Sequence, residues 1–194
     1  MPNKSIILLQ ACGHNPTGAD PTENQWRELL NLIKVKEIFP FIDISYQGIC
    51  SNNLEKDAFC VQELLNEGVE MLIAQSFSKL MSLYGERVGA LTFKTNNKQE
   101  LEKIVSQLEI IIRSNYSNPP IHGSSIASFI LNDSNAKSIW INELKEMHDR
   151  MKLMRNMLYL NLKKEGSSLD WRFLIENKGM FSFTGLNEIQ VIFS

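Results

Sequence analysis

The chain has 194 residues, 43% of them apolar and 22% charged, enough for one substantial core or for parts of two domains. Its formal net charge is −2, so no basic footprint points to nucleic acid or to an anionic membrane surface. No apolar run approaches the roughly 20 residues that a membrane span needs.

Ser5 to Leu9, in SIILLQ, is a short apolar run that predicts a buried parallel strand. It leads into a polar turn and not a small-residue cleavage site, so it does not read as a secretory leader. HNPTGADP is turn chemistry. DPTENQWRELLNLIK then predicts a helix capped by Asp20 or Thr22, with Trp26, Leu29, Leu30 and Ile33 on one face. IFPFIDIS predicts a second strand, and KDAFCVQELLNEG a helix closed by Gly68. VEMLIAQSF predicts a third strand and RVGALTF a fourth. Strands and helices alternating at this spacing argue for a parallel sheet covered by helices.

The second half reads as helical. NNKQELEKIVSQLEIIIRSN predicts one helix, the segment after SNPP another, and about Ser134 to Lys164 a long third. In the third, Trp140, Leu144, Met147, Met151, Met154, Leu158 and Leu162 form an apolar stripe. At ~1.5 Å per residue it spans on the order of 45 Å, enough to bridge two domains. WRFLIENKGMFSFTGL predicts two short strands around a turn, and NEIQVIFS the beginning of a helix. Cys12, Cys50 and Cys60 fit neither a zinc spacing nor a disulfide framework, and His14, His122 and His148 are scattered. Three reduced thiols and no metal site are expected.

In open parallel sheets, ligands bind beyond the carboxyl ends of the strands. Three polar clusters fall there: GHNPTG, DISYQG and QSFSK. Each also has a plain structural explanation. Asn15-Pro16-Thr17-Gly18 reads as a tight turn, Asp43 as a cap, Tyr46 as a core aromatic and Lys79 as a solvated strand-end lysine. Their convergence on one rim is what argues for a site.

HNPTG, DISYQG, SFSKLMSLYGERVG, RSNYSNPPIHG and GMFSFTGL occur in this order over nearly the whole chain. Together they resemble the class I aminotransferases, and specifically the aspartate aminotransferase branch. The resemblance implies an α/β fold like the large domain of fold-type-I pyridoxal-phosphate enzymes, with a parallel-rich sheet and flanking helices. Residues 1–133 would be the later part of that cofactor-binding domain, and 134–165 a long interdomain helix. Residues 166–194 would start a small α+β domain.

The resemblance further implies pyridoxal 5'-phosphate as cofactor. Lys79 would carry it as a Schiff base and, once freed, act as the general base. Asp43 would pair with the pyridine nitrogen, while Asn15 and Tyr46 would hydrogen-bond the phenolic oxygen. Ser76 and Arg87 would hold the phosphate, Arg87 through a forked contact that a lysine could not copy. The peptide bond between Asn15 and Pro16 would be cis. Arg113 would reach across a homodimer interface to clamp the distal carboxylate of the substrate, alongside Tyr116, Ser117 and Asn118. Read alone, Arg113 complements a helix C-terminus.

The implied reaction is amino transfer from aspartate to 2-oxoglutarate, giving oxaloacetate and glutamate, in a cytoplasmic enzyme. Two alternatives are an aromatic-amino-acid aminotransferase and a non-catalytic interaction or dimerisation module. The family's N-terminal arm, phosphate loop and ring-stacking aromatic would lie before Met1, and its α-carboxylate arginine beyond Ser194. The 194 residues alone are therefore expected to be inactive and to carry unpaired sheet edges. Leu80, Met81 and Ser82 stand where relatives carry a more polar or glycine-containing run, and Ser45 and Cys50 where small apolar residues are commoner. Altered packing is expected at these positions.

Overall fold

A computed structural model describes residues 1–192. The first strand, β1 (Ile6–Gln10), is joined by helix α1 (Glu23–Val35) to β2 (Phe39–Ile44). The N-cap of α1 is Thr22, whose hydroxyl accepts from the Gln25 N–H while the Gln25 side chain accepts from Thr22 N–H at 2.8 Å. Asp20, the other candidate cap, turns back on the loop before it and accepts from the N–H groups of Gly13 and His14 at 2.8 and 2.9 Å.

The helical stretch expected after β2 is divided into α2 (Leu54–Asp57) and α3 (Phe59–Asn66), with Ala58 between them at φ −100° and ψ 14°. The break falls beside Asp57, whose carboxylate is tied to the loop above it. Strand β3 (Met71–Ser76) completes three parallel strands, and β4 (Gly89–Lys94) pairs with β3 antiparallel. Residues 77–88 hold no helix to carry the chain back across the sheet, so β4 returns against β3. The sheet order is β1-β2-β3-β4.

Because the order advances in one direction, right-handed crossovers put α1 and α3 on the same face. There Trp26, Leu30 and Ile33 pack with Cys60, Val61 and Leu64 over Ile42, Ile44 and Met71. Ile7 and Leu9 join this core, whereas Ile6 and Leu8 on the other face of β1 are 71% and 64% exposed. β1 is thus buried on one face only, although its continuous apolar run reads as a strand covered on both.

Helix α4 (Lys98–Tyr116) starts from an Asn97 cap and contains no buried residue. α5 (His122–Asn132) leads to α6 (Ser134–Lys164), whose bounds match the sequence expectation. Only the first half of its stripe is well covered. Trp140 and Leu144 pack with Ile49 and Leu80, flanked by Met147 and Met151, while Met154 and Leu158 are largely exposed.

Residues 171–186, expected as two short strands, hold the single-turn helix α7 (Phe173–Glu176) and then irregular backbone. Several of their main-chain groups find partners without a ladder. The Arg155 guanidinium donates to the carbonyls of Leu174, Gly179 and Phe181 at 3.0, 2.7 and 2.6 Å. Lys178 N–H donates to Gly18 C=O at 2.8 Å. Helix α8 (Glu188–Ile192) follows where a helix was expected, and Phe193 and Ser194 lie outside the described residues.

Candidate active site

Parallel pairing aligns the carboxyl ends of β1, β2 and β3, with Gln10 opposite Asp43 and Asp43 opposite Ala74. The loop after β1 turns sharply at Gly13 (φ +63°), a conformation that glycine adopts without steric cost. The Asn15–Pro16 bond is cis. The Gln10 side chain accepts from Asn15 N–H at 2.7 Å and so anchors the start of this turn to the end of β1.

At the end of β2, Asp43 accepts a hydrogen bond from the Ser45 hydroxyl at 2.8 Å. Tyr46 is 4% exposed, and the edge contact with Phe181 has ring centroids 6.0 Å apart. Burial pushes the Tyr46 phenol above its ordinary value, with a side-chain hydrogen bond to Asn15 acting in the opposite direction and the Asp43 charge adding to the rise. After β3, Lys79 places its Nζ 5.3 Å from the centre of the Tyr46 ring. The Ser76 hydroxyl accepts from Ser78 N–H at 3.3 Å.

Ser76 pairs with Gly89 across the sheet, so Arg87 lies two residues before that pair, at the same end. Arg87 has φ +52°, unusual for a residue with a β-carbon, and donates to Tyr84 C=O at 3.0 Å. Among the described residues, neither Lys79 nor Arg87 is paired with a carboxylate. Lys79 thus stands over the Tyr46 ring, while Asn15, Asp43, Ser76 and Arg87 lie in or beside the same strand ends. Arg113 stands apart on α4, exposed and bonded to the Ser117 hydroxyl at 3.0 Å.

The residues around this rim include several that motif spacing does not reveal. Arg155 lies on the long helix beside the apolar stripe, and its burial lowers its pKa. It holds the segment that brings Phe181 to Tyr46. Asp57, buried at 4%, gathers Gly48, Cys50 and Ser51 N–H groups on one oxygen at 2.7, 3.2 and 3.3 Å. Burial nevertheless raises its carboxyl above the ordinary range. His148 bonds through Nδ1 to Ile49 C=O at 2.7 Å. Cys12 and Cys50, distant in sequence, meet behind Tyr46. No local signal marks these groups, because each partner lies on a different element. The unusual Leu80 is 1% exposed and packs under Trp140, and the unusual Ser45 fixes one Asp43 oxygen.

The rim brings together an amine over an aromatic ring, a carboxylate at a strand end and a guanidinium without a carboxylate partner among the described residues. Parallel strands covered by helices define an α/β protein. Residues 1–193 match the aminotransferase class I and II family, and the chain belongs to it.

The chain is 46% identical over 191 residues to the mitochondrial aspartate aminotransferase of Gallus gallus, covering 98% of this chain and 45% of that protein. It is 47% identical over 192 residues to the cytoplasmic aspartate aminotransferase of Oryza sativa subsp. japonica, covering 99% and 47%. The chain thus spans about half the length of the curated relatives it matches. Among solved structures, it is similar to the aromatic-amino-acid aminotransferase of Burkholderia pseudomallei covalently bound to pyridoxal phosphate. That match has a TM-score of 0.93 at 42% identity and covers 98% and 48% of the two chains. A mitochondrial aspartate aminotransferase of Trypanosoma brucei gives a TM-score of 0.94 at 42% identity, covering 99% and 50%. Among the described residues, no helix is long and apolar enough to cross a membrane.

Proposed function

We propose that this chain supplies the lysine-bearing rim of a pyridoxal-phosphate-dependent aminotransferase acting on aspartate and glutamate with their oxo acids, 2-oxoglutarate and oxaloacetate. The observation that carries the reading is Lys79 Nζ standing 5.3 Å from the Tyr46 ring centre, with Asp43 at the end of the neighbouring strand. The residues fit the cofactor. Lys79 and Arg87 are cations without carboxylate partners among the described residues, and Asp43 sits at a strand end with its orientation held by Ser45. When bound, pyridoxal phosphate supplies an aldehyde that exchanges amines and a ring that accepts the electron pair left at the substrate's α-carbon.

In this reading Lys79 holds the cofactor through Nζ and then carries the α-proton as general base. Asp43 keeps the ring nitrogen protonated, and Asn15 and Tyr46 donate to the phenolic oxygen. Ser76 and Arg87 bind the phosphate; the planar guanidinium suits two oxygens at once. Arg113 binds the distal carboxylate in a homodimer. The absence of any buried residue on α4 and the exposure of Ile110, Ile111 and Tyr116 support an interface there. Residues 1–133 act as the cofactor-binding part, 134–165 as the bridging helix and 166–194 as the beginning of a small domain. The exposed second half of the α6 stripe supports this division.

The test follows oxaloacetate when the full-length protein meets aspartate and 2-oxoglutarate. Absence of turnover with cofactor bound would sink the reading. On the chain itself, cofactor binding gives an absorbance band that borohydride shifts and Lys79→Ala removes; survival of the band in that variant contradicts the Lys79 assignment. The Burkholderia neighbour favours a second reading, an aromatic donor, which comparing aspartate with phenylalanine separates. The rice relative supports a cytoplasmic location, and cell fractionation tests it against the mitochondrial one named for the chick relative.

A further inference from the structure

Two thiols that the sequence scatters meet beside Tyr46. The Sγ atoms of Cys12 and Cys50 and a carboxylate oxygen of Asp57 lie within 4.8 Å of one another. Both cysteines are buried, at 5% and 3% exposure, and belong to one cluster with Tyr46. Gly13 makes room for the pair, since a β-carbon there would stand 2.6 Å from Cys50 Sγ. Cys50 also lines a cavity of about 280 Å³, with Ser51, Lys56, His148, Lys152 and Arg155 among its walls, and Cys12 does not reach it. Cys50 therefore borders an open space and Cys12 does not.

We propose that Cys12 and Cys50 are a hydroperoxide-oxidisable dithiol, in which Cys50 is attacked from the cavity and Cys12 resolves it. With hydrogen peroxide, Cys50 Sγ attacks one oxygen, the O–O bond breaks, and a water leaves with the thiol proton. Cys50 is then a sulfenic acid. Cys12 Sγ displaces its oxygen, which departs with the Cys12 proton as a second water, and the S–S bond forms. The dithiol loses two electrons and two protons, and the peroxide is reduced to two waters. The order follows from access, since Cys50 borders the cavity and Cys12 does not.

A metal is the competing use of such a cluster. Structural zinc takes four donors. The close group contains three among the described residues, and one Asp57 oxygen already accepts three backbone N–H bonds. Forming the disulfide brings the sulfurs to about 2.05 Å. That draws together the loops carrying Asn15 and Tyr46, whatever reaction the rim performs.

The test treats the full chain with hydrogen peroxide, then denatures and alkylates it and digests it with trypsin without reductant. Cleavage leaves the three cysteines on separate peptides, 5–27, 37–56 and 57–79. Free thiols should fall from three to one, with 5–27 joined to 37–56, Cys60 still alkylated, and dithiothreitol restoring all three. Cys60→Ser should keep the crosslink, and Cys12→Ser should leave a dimedone-reactive Cys50. If Cys12→Ser does not fold, the peptide map of the unaltered chain and of Cys60→Ser decides. Both peptides remaining alkylated in peroxide-treated folded protein would overturn the proposal. So would Cys60 oxidising as fast as Cys50, or bound zinc that must be chelated before the thiols react.

Discussion

The indole N–H of Trp140 donates to the main-chain carbonyl of Leu80 across 2.7 Å, joining the long helix to the residue directly after Lys79. Both side chains are buried, and neither is part of the rim. α6 thus determines where the lysine-bearing turn sits. Replacing Trp140 by Phe keeps an aromatic ring but leaves the Leu80 carbonyl unmet inside the core. The expected loss is about 1–3 kcal/mol of unfolding free energy, read from urea denaturation. An unchanged midpoint would show that the bond contributes nothing.

Arg155 satisfies three carbonyls of the segment that carries Phe181 to Tyr46. Arg155→Met preserves most of the stem but offers no donor. Amide hydrogen exchange across residues 174–181 should then accelerate, while exchange in Phe39–Ile44 stays slow. Uniform acceleration would mean that the arginine supports the whole fold rather than this segment.

Gly179 has φ +81°, and a β-carbon there would meet Gly13 Cα at 2.8 Å. Gly179→Ala therefore combines a disfavoured backbone with a collision between two main chains. A loss above about 1 kcal/mol is expected in thermal or chemical unfolding.

Burial pushes the Cys60 thiol up to about 12, so it stays neutral wherever the protein is handled. Reaction of Cys60 with iodoacetamide in the folded chain should stay far slower than in the unfolded chain from about pH 7 to about 10, and still be climbing where an ordinary thiol has levelled off, because the thiolate is the nucleophile. Urea should release it. Fast labelling of Cys60 in native protein would show that the α1–α3 core opens.

Asp57 has its folded pKa raised, first by burial, with the hydrogen bonds of the loop opposing. The unfolded state therefore loses this proton before the folded state does. The stability associated with it is fully present below the unfolded carboxylate range and is lost as pH rises through the folded value. Asp57→Asn should remove that decline from a plot of urea midpoint against pH. A variant with the same slope would place the titration elsewhere.

Much of the fold is legible from periodicity. The α6 bounds, the α1 face and the three parallel strands follow from local apolar spacing. The candidate rim is a sequence reading of the same kind, because QSFSK and DISYQG overlap the ends of apolar strands and HNPTG follows the first one by a short turn. Less legible is the segment 171–186, where aromatic alternation suggests strands. No partner strand is present among the described residues, and Arg155 with Gly18 takes up its backbone groups instead. The burial of β1 on both faces is likewise misread, since a pattern of residue types does not say which face a helix will cover.

By itself, the sequence determines which residues can pack, where strands and helices begin, and which chemical groups the strand ends deliver. These are near-neighbour properties, set by side-chain spacing and capping. Tertiary structure alone decides that Lys79 stands over Tyr46, that Arg155 clamps the Phe181 segment, and that Cys12 faces Cys50. Such pairings depend on strand register and crossover direction, which bring residues from separate elements within a few ångströms and leave no mark on the spacing within either element.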